Sequence, residues 1–182
     1  MTSRINQLIN AVESGNEKVV RQLLYQQSFF NTPLSPNQLD DKGCPLICIA
    51  TKKGFQSIIK LLIKAGANVN FDDNKRVTPL LLATQANDLS LVDLLLEAGA
   101  NPDLPDYDGL TALMYASHHG YHSIVKSLLS AGAYINLCNS KGFTALIYAT
   151  YYYHIDIIKE LLCQLAKIDL GDRFGKTTYD CV

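Results

Sequence analysis

The stretch VTPLLLATQANDLSLVDLLLEAGANPD, residues 77–103, decides the fold. It holds two short apolar segments, each bounded by residues that punctuate helices. Thr78 can accept a backbone N–H as a helix cap, and Pro79 then occupies the tolerated first helical position. Leu80, Leu82 and Ala83 mark a short first helix, which Asn87 ends because it tolerates positive φ. The segment LSLVDLLLEAG is a second helix, apolar but interrupted by charge at helical intervals, and Gly99 stops it. A polar stretch then leads the chain away as an extended finger.

The same unit recurs. With a shift of 33 residues, the chain aligns on itself without gaps from Asp40 to the end. Asp40, Asp73, Asp106, Asn139 and Asp172 share one column; Gly43, Arg76, Gly109, Gly142 and Gly175 share another. Thr78, Thr111, Thr144 and Thr177 align with Pro45. Ala50, Ala83, Ala116 and Ala149 align, as do Ala67, Ala100, Ala133 and Ala166. First helices break at Gly54, Asn87 and Gly120, and second helices stop at Gly66, Gly99 and Gly132. In SIVKSLLSAG, the residues Ile124, Val125, Leu128 and Leu129 form one apolar stripe.

The units VTPLLLA (77–83), GLTALMYA (109–116) and GFTALIYA (142–149), with the endings AGANVN (65–70) and AGANPD (98–103), resemble the ankyrin repeat family. The resemblance implies an all-α solenoid of stacked helix-turn-helix units with projecting β-hairpin-like fingers. One departure is the missing histidine after the T-P-L triplet. Cys48, Leu81, Met114 and Ile147 stand in that column, so its hydrogen bond is made otherwise or lost.

The expected divisions are a divergent, capping unit at 1–39, repeats at 40–72, 73–105, 106–138 and 139–171, and a partial unit at 172–182. The first unit matches the second only with a shift of 39, which pairs Ala11 with Ala50, Gly15 with Gly54, and Val19-Val20 with Ile58-Ile59. Its extra residues lie around NTPLSPNQL, a lengthened finger loop. The unit at 139–171 is partly cap-like. Tyr153 and Leu165 stand in glycine columns, and Glu160 replaces the apolar Leu61 and Leu94. For the sixth unit two readings stay open: Tyr179, Cys181 and Val182 form a lid, or the sequence is a fragment of a longer protein.

Composition narrows the function classes. Sixteen Lys and Arg against 17 Asp and Glu give a net charge of −1. This near-balance argues against a nucleic-acid binder, which carries a basic excess. No apolar run is long enough to span a bilayer, and the N-terminus lacks the apolar region of a secretory signal. Five cysteines, an odd number without a C-x-x-C pair, fit a reducing compartment. The expected location is therefore cytoplasmic, with delivery into a host cell as an effector left open.

Family members bind other proteins, and few carry chemistry in the repeats. The resemblance implies contact through finger tips and the exposed side of each first helix. Carried over by column, the first-helix surface is Lys52, Lys53, Gln85, Ala86, His118, His119, Tyr151 and Tyr152. The finger candidates include Lys42, Lys75, Val77, Tyr107, Leu110 and Phe143, with Arg173, Phe174 and Lys176 beyond. This strip runs from basic through small and polar to imidazole and phenol, with exposed apolar candidates beside it. Tyrosine is enriched at the energetic centres of interfaces. Isolated exposed apolar groups need no explanation, but their collection into facing columns favours binding.

Enzymatic readings fare worse. His118 and His122 have i, i+4 spacing, yet Gly120 intervenes at a helix break and takes them off a common face. Cys48 and Cys163 fall in packing columns and Cys44 and Cys138 in fingers, without an evident base and orienting group. Cys44 and Cys48 read as small buried or half-buried fillers. GKTT at 175–178 lacks the upstream glycine of a phosphate loop. The expectation is a monomeric, cofactor-free and metal-free adaptor or scaffold for another protein. A stoichiometric inhibitor of a partner enzyme, or the targeting arm of a larger or secreted effector, are the alternatives.

The segment TYYYHID, residues 150–156, divides by column. Tyr148, just upstream, aligns with Ile49, Leu82 and Tyr115 and reads as core. Tyr151 and Tyr152 align with His118 and His119 and face the groove. Tyr153 must accept a strained turn or change how its helix ends. His154 reads as structural.

Overall fold

Residues 2–25 and 33–164 are described by a computed structural model. The sixth unit, with its candidate lid (Tyr179, Cys181, Val182) and Arg173, Phe174 and Lys176, lies outside the described residues, as do Leu165 and part of the first finger.

Ten helices form five pairs among the described residues: α1 (Thr2–Glu13) with α2 (Glu17–Tyr25), α3 (Leu46–Lys52) with α4 (Gln56–Lys64), α5 (Pro79–Gln85) with α6 (Leu89–Glu97), α7 (Ala112–His119) with α8 (His122–Ser130), and α9 (Ala145–Tyr151) with α10 (Ile155–Cys163). The first helices stack in the order α1, α3, α5, α7, α9. Behind them α2 packs on α4, and α6, α8 and α10 on one another in turn. Leu62, Val92, Leu95, Val125, Leu128 and Leu161 are fully buried between the layers. The buried columns are those that repeat in sequence, because each unit hides its apolar stripe only against its neighbours.

Caps set the helix starts. Thr78, Thr111 and Thr144 accept the backbone N–H groups of Leu81, Met114 and Ile147. These three donors belong to the column that lacks histidine, and their apolar side chains are buried. Pro45 caps α3 without a side-chain bond. At the breaks, Gly54, Asn87 and Gly120 take positive φ, and Tyr153 takes it too, at 59°. Tyr153 thus accepts the strained turn, which for a residue with a Cβ costs roughly 1–2 kcal/mol. Tyr153→Gly is expected to raise stability by roughly 0.5–1 kcal/mol, since relief of strain exceeds the backbone entropy that glycine adds. A lower midpoint in denaturant unfolding would show that ring packing outweighs the strain.

Fingers are tight turns. The Oδ1 of Asp40 accepts the backbone N–H groups of Lys42 and Cys44; Asp73, Asp106 and Asn139 repeat the pattern two and four residues on. This accounts for the acidic column. The only bridge of β type among the described residues is Leu39 with Pro45, so the fingers are hairpin-like turns without a sheet. A second ladder lies at the loops after the second helices. Asn37, Asn70 and Asp103 each accept, at 2.8 Å, a backbone N–H of the next unit, from Asn68, Asn101 and Tyr134. This column also has the 33-residue spacing, but sequence reading passed over it.

Candidate functional site

Most of the predicted contact residues fall into two groups. At one end, Lys42, Lys52, Lys53, Lys75, Val77 and Gln85 line a groove of about 520 Å3 between the second and third units. Ile49 and Leu82 also line it. Lys52 is not a free cation: its Nζ donates to Asp73 Oδ2 at 2.8 Å across the repeat boundary. Burial alone would push the Asp73 carboxyl up, but the Lys52 ammonium and the backbone N–H groups of Lys75 and Val77 hold it below the usual range. The same pair, against burial, raises Lys52. With Asp40 and Asp73 both accepting bonds, the positive charge left open toward the groove comes from Lys42, Lys53 and Lys75.

At the other end the aromatic residues touch. His118 meets Tyr152 with ring centroids 4.4 Å apart, Tyr148 at 5.3 Å and His119 at 4.3 Å. His119 stacks on Tyr115 at 4.2 Å, Tyr152 meets Tyr151 at 5.0 Å, and Phe143 meets Tyr148 at 5.2 Å. Burial, then the neighbouring His119 and His154, hold the His118 imidazole below its ordinary value, which favours its neutral form. Tyr151 and Tyr152 remain 46% and 44% exposed, so both side chains stay open to solvent.

Three expectations need correction. Tyr148 is not core: Leu82, Tyr115 and Tyr148 are half-buried, and with buried Ile49 they form the floor beneath the contact strip. A column that packs sideways against fingers instead of between helix layers looks equally apolar in sequence. Val77, Leu110 and Phe143 are half-buried, not exposed: Val77 and Leu110 pack against the core, and Phe143 packs on Tyr148 of its own first helix. Cys163 is exposed, at the end of α10, and occupies no packing position. Tyr107 stands 69% exposed at a finger tip, outside both groups.

His154 is structural. Its ring nitrogen Nε2 lies 3.0 Å from the His118 carbonyl oxygen, tying the fifth unit to the fourth. His118 lies in the last turn of α7 and His122 begins α8, with Gly120 left-handed between them. Glu160 approaches His122 Nε2 at 3.9 Å, which gives the carboxylate that stands in the column of Leu61, Leu94 and Ser127 a polar neighbour. Among the described residues no three His, Cys, Asp or Glu side chains are grouped to hold a metal. No described helix is long and apolar enough to cross a membrane.

Stacked two-helix units with turned fingers define the class: a helical repeat solenoid whose variable side chains gather along the fingers and first helices. A family model for ankyrin repeats, three copies, matches residues 8–106 and 85–172, and the chain belongs to the ankyrin repeat family. Ankyrin repeats are generally protein-interaction modules and typically not enzymes. No curated protein matches the sequence.

Proposed function

We propose that this array is a cytoplasmic, monomeric, non-enzymatic adaptor or scaffold that binds a partner protein along its fingers and first helices. The binding units are the repeats at 40–72, 73–105, 106–138 and 139–171. The observation that carries the reading is the connected ring surface from Tyr115 through His119 and His118 to Tyr152 and Tyr151. Rings already held by their neighbours lose little entropy on binding, which suits them as anchors. The strained, exposed Tyr153 extends the same end of the array, and strain of this kind collects at functional sites. The Lys42, Lys53 and Lys75 groove favours a partner segment with carboxylates at that end and an apolar or aromatic group at the tyrosine end.

Affinity capture with mass spectrometry tests this, comparing wild type with Tyr151→Ala/Tyr152→Ala. The captured partner is expected to lose at least roughly tenfold in affinity in the double variant, as for buried aromatic anchors. The melting temperature should stay nearly unchanged, since both rings are half open. Equal capture by both proteins would remove the tyrosines from the interface, and a collapse in melting temperature would place them in the core.

A further inference from the structure

Polar links tie neighbouring units together unevenly. Between the second and third units, Asn74 Nδ2 donates to the Lys42 carbonyl from finger to finger. Lys52 Nζ reaches Asp73 at 2.8 Å, and Gln56 Nε2 reaches Ser90 Oγ at 3.3 Å. Between the fourth and fifth units, Ser140 donates to the Asp108 carbonyl, the His154 ring meets the His118 carbonyl at 3.0 Å, and His118 packs on Tyr152. Between the third and fourth, a single hydrogen bond crosses among the described residues, from Tyr134 N to Asp103 Oδ1 at 2.8 Å. It lies at the rear loops, and the two fingers are not joined.

Two residues open this gap. Tyr107 shares its column with Asn74 and Ser140, whose side chains donate from one finger to the next. Its phenol stands 69% exposed instead, and among the described residues the Lys75 carbonyl receives nothing from the fourth finger. Arg76 shares its column with Gly43 and Gly109. A Cβ at Gly43 would lie 2.9 Å from Asn74 Oδ1, and one at Gly109 would lie 2.9 Å from Ser140 N. Glycine in this column is therefore what lets linked fingers approach. Arg76 keeps a side chain there at a φ of 57°, which strains its own turn and bars the same approach. The rear link is thinner as well. Asn37 and Asn70 accept a bond and also donate one, to the Gly66 and Gly99 carbonyls at 3.4 Å, whereas the Asp103 carboxylate can only accept.

We propose that the array flexes at this junction. The second and third units move as one half and the fourth and fifth as another, with the Asp103–Tyr134 bond as the pivot. Leu80 and Leu81 on α5, and Leu113 and Met114 on α7, are buried, so the fingers splay while the helix layers stay packed. The two contact groups lie on opposite sides of the junction. Lys42, Lys53 and Lys75 belong to one half, and His118, His119, Tyr151 and Tyr152 to the other. Flexing therefore sets the span between the lysine groove and the ring surface, which a fully linked row of fingers would fix. Use of this motion by a partner rests on the binding reading above; the motion itself does not.

Arg76→Gly/Tyr107→Asn tests it, because the pair installs the residue types found where fingers are linked. Spin labels on ketone side chains introduced at the exposed positions 42 and 141 spare the native cysteines. They report the distance between the second and fifth fingertips in the full chain by pulsed dipolar spectroscopy of frozen samples, whatever the rate of motion. The wild-type distance distribution is expected to be roughly twofold broader than that of the double variant. Asn74→Ala, which cuts the finger link between the second and third units, should broaden it further. Circular dichroism checks that each variant folds. Equal widths for wild type and the double variant overturn the proposal. So does an Asn74→Ala distribution no broader than wild type, since finger links would then not govern the motion. The measurement is made on the protein alone, so its failure leaves the tyrosine capture result untouched.

Discussion

Leu95→Ala is expected to destabilise the array by about 3 kcal/mol and to lower its melting temperature by roughly 6–12 °C. Leu95 is fully buried on α6, in the middle of the stack. Removing its isobutyl group loses transfer energy and leaves a void that helices packed on both sides cannot close. In a linear array the loss is felt at two interfaces, because each unit is stable only against its neighbours. Leu162→Ala is the matched control: this leucine is 44% exposed on α10, and its removal should cost within roughly 0.5 kcal/mol. Denaturant unfolding of the two variants side by side measures the difference. Equal losses would mean that the central units do not share a common core.

Gly109→Ala should cost about 2–4 kcal/mol, the second large effect. Gly109 has φ of +80°, and an added Cβ would lie 2.9 Å from the Ser140 backbone nitrogen and 3.0 Å from Asn139 Cα. Backbone cannot swing aside as a side-chain end can. The clash falls on the link between two fingers, where Ser140 N and Oγ both donate to the Asp108 carbonyl, at 3.0 and 2.7 Å. Gly54→Ala separates strain from clash: its φ is +69°, but nothing lies within 4 Å of the new Cβ. That variant should lose only the conformational part, roughly 1–2 kcal/mol. Amide exchange at Ser140 should quicken in Gly109→Ala and not in Gly54→Ala. Matching behaviour of the two variants would rule out the finger–finger clash.

Particular columns show how far reading the chain reached. Thr78, Thr111 and Thr144 were legible as caps because a hydroxyl three residues before a free N–H needs no tertiary partner. The anomaly at Tyr153 was legible because a glycine column announces positive φ. The Leu82, Tyr115 and Tyr148 column was misread, since periodicity marks a residue as apolar and inward but does not say which wall it packs against. The engagement of Lys52 was invisible for a similar reason. Its partner Asp73 is 21 residues away and belongs to the finger of the next unit. The 33-residue repeat makes such pairs predictable in position, but not in who bonds whom.

What the chain alone determined is the unit: two short helices, their caps, the left-handed breaks and the columns that must be buried. Those follow from local backbone chemistry and from a period that tolerates no gaps. Tertiary stacking decided the rest. It set Lys52 against Cys44 and Asp73 and joined His118 to Tyr152 across a repeat boundary. It also turned the apolar column beneath them into a floor. Contacts between units depend on side-chain direction and on the distance between neighbouring backbones, and neither is written in the spacing of residues along one strand of sequence.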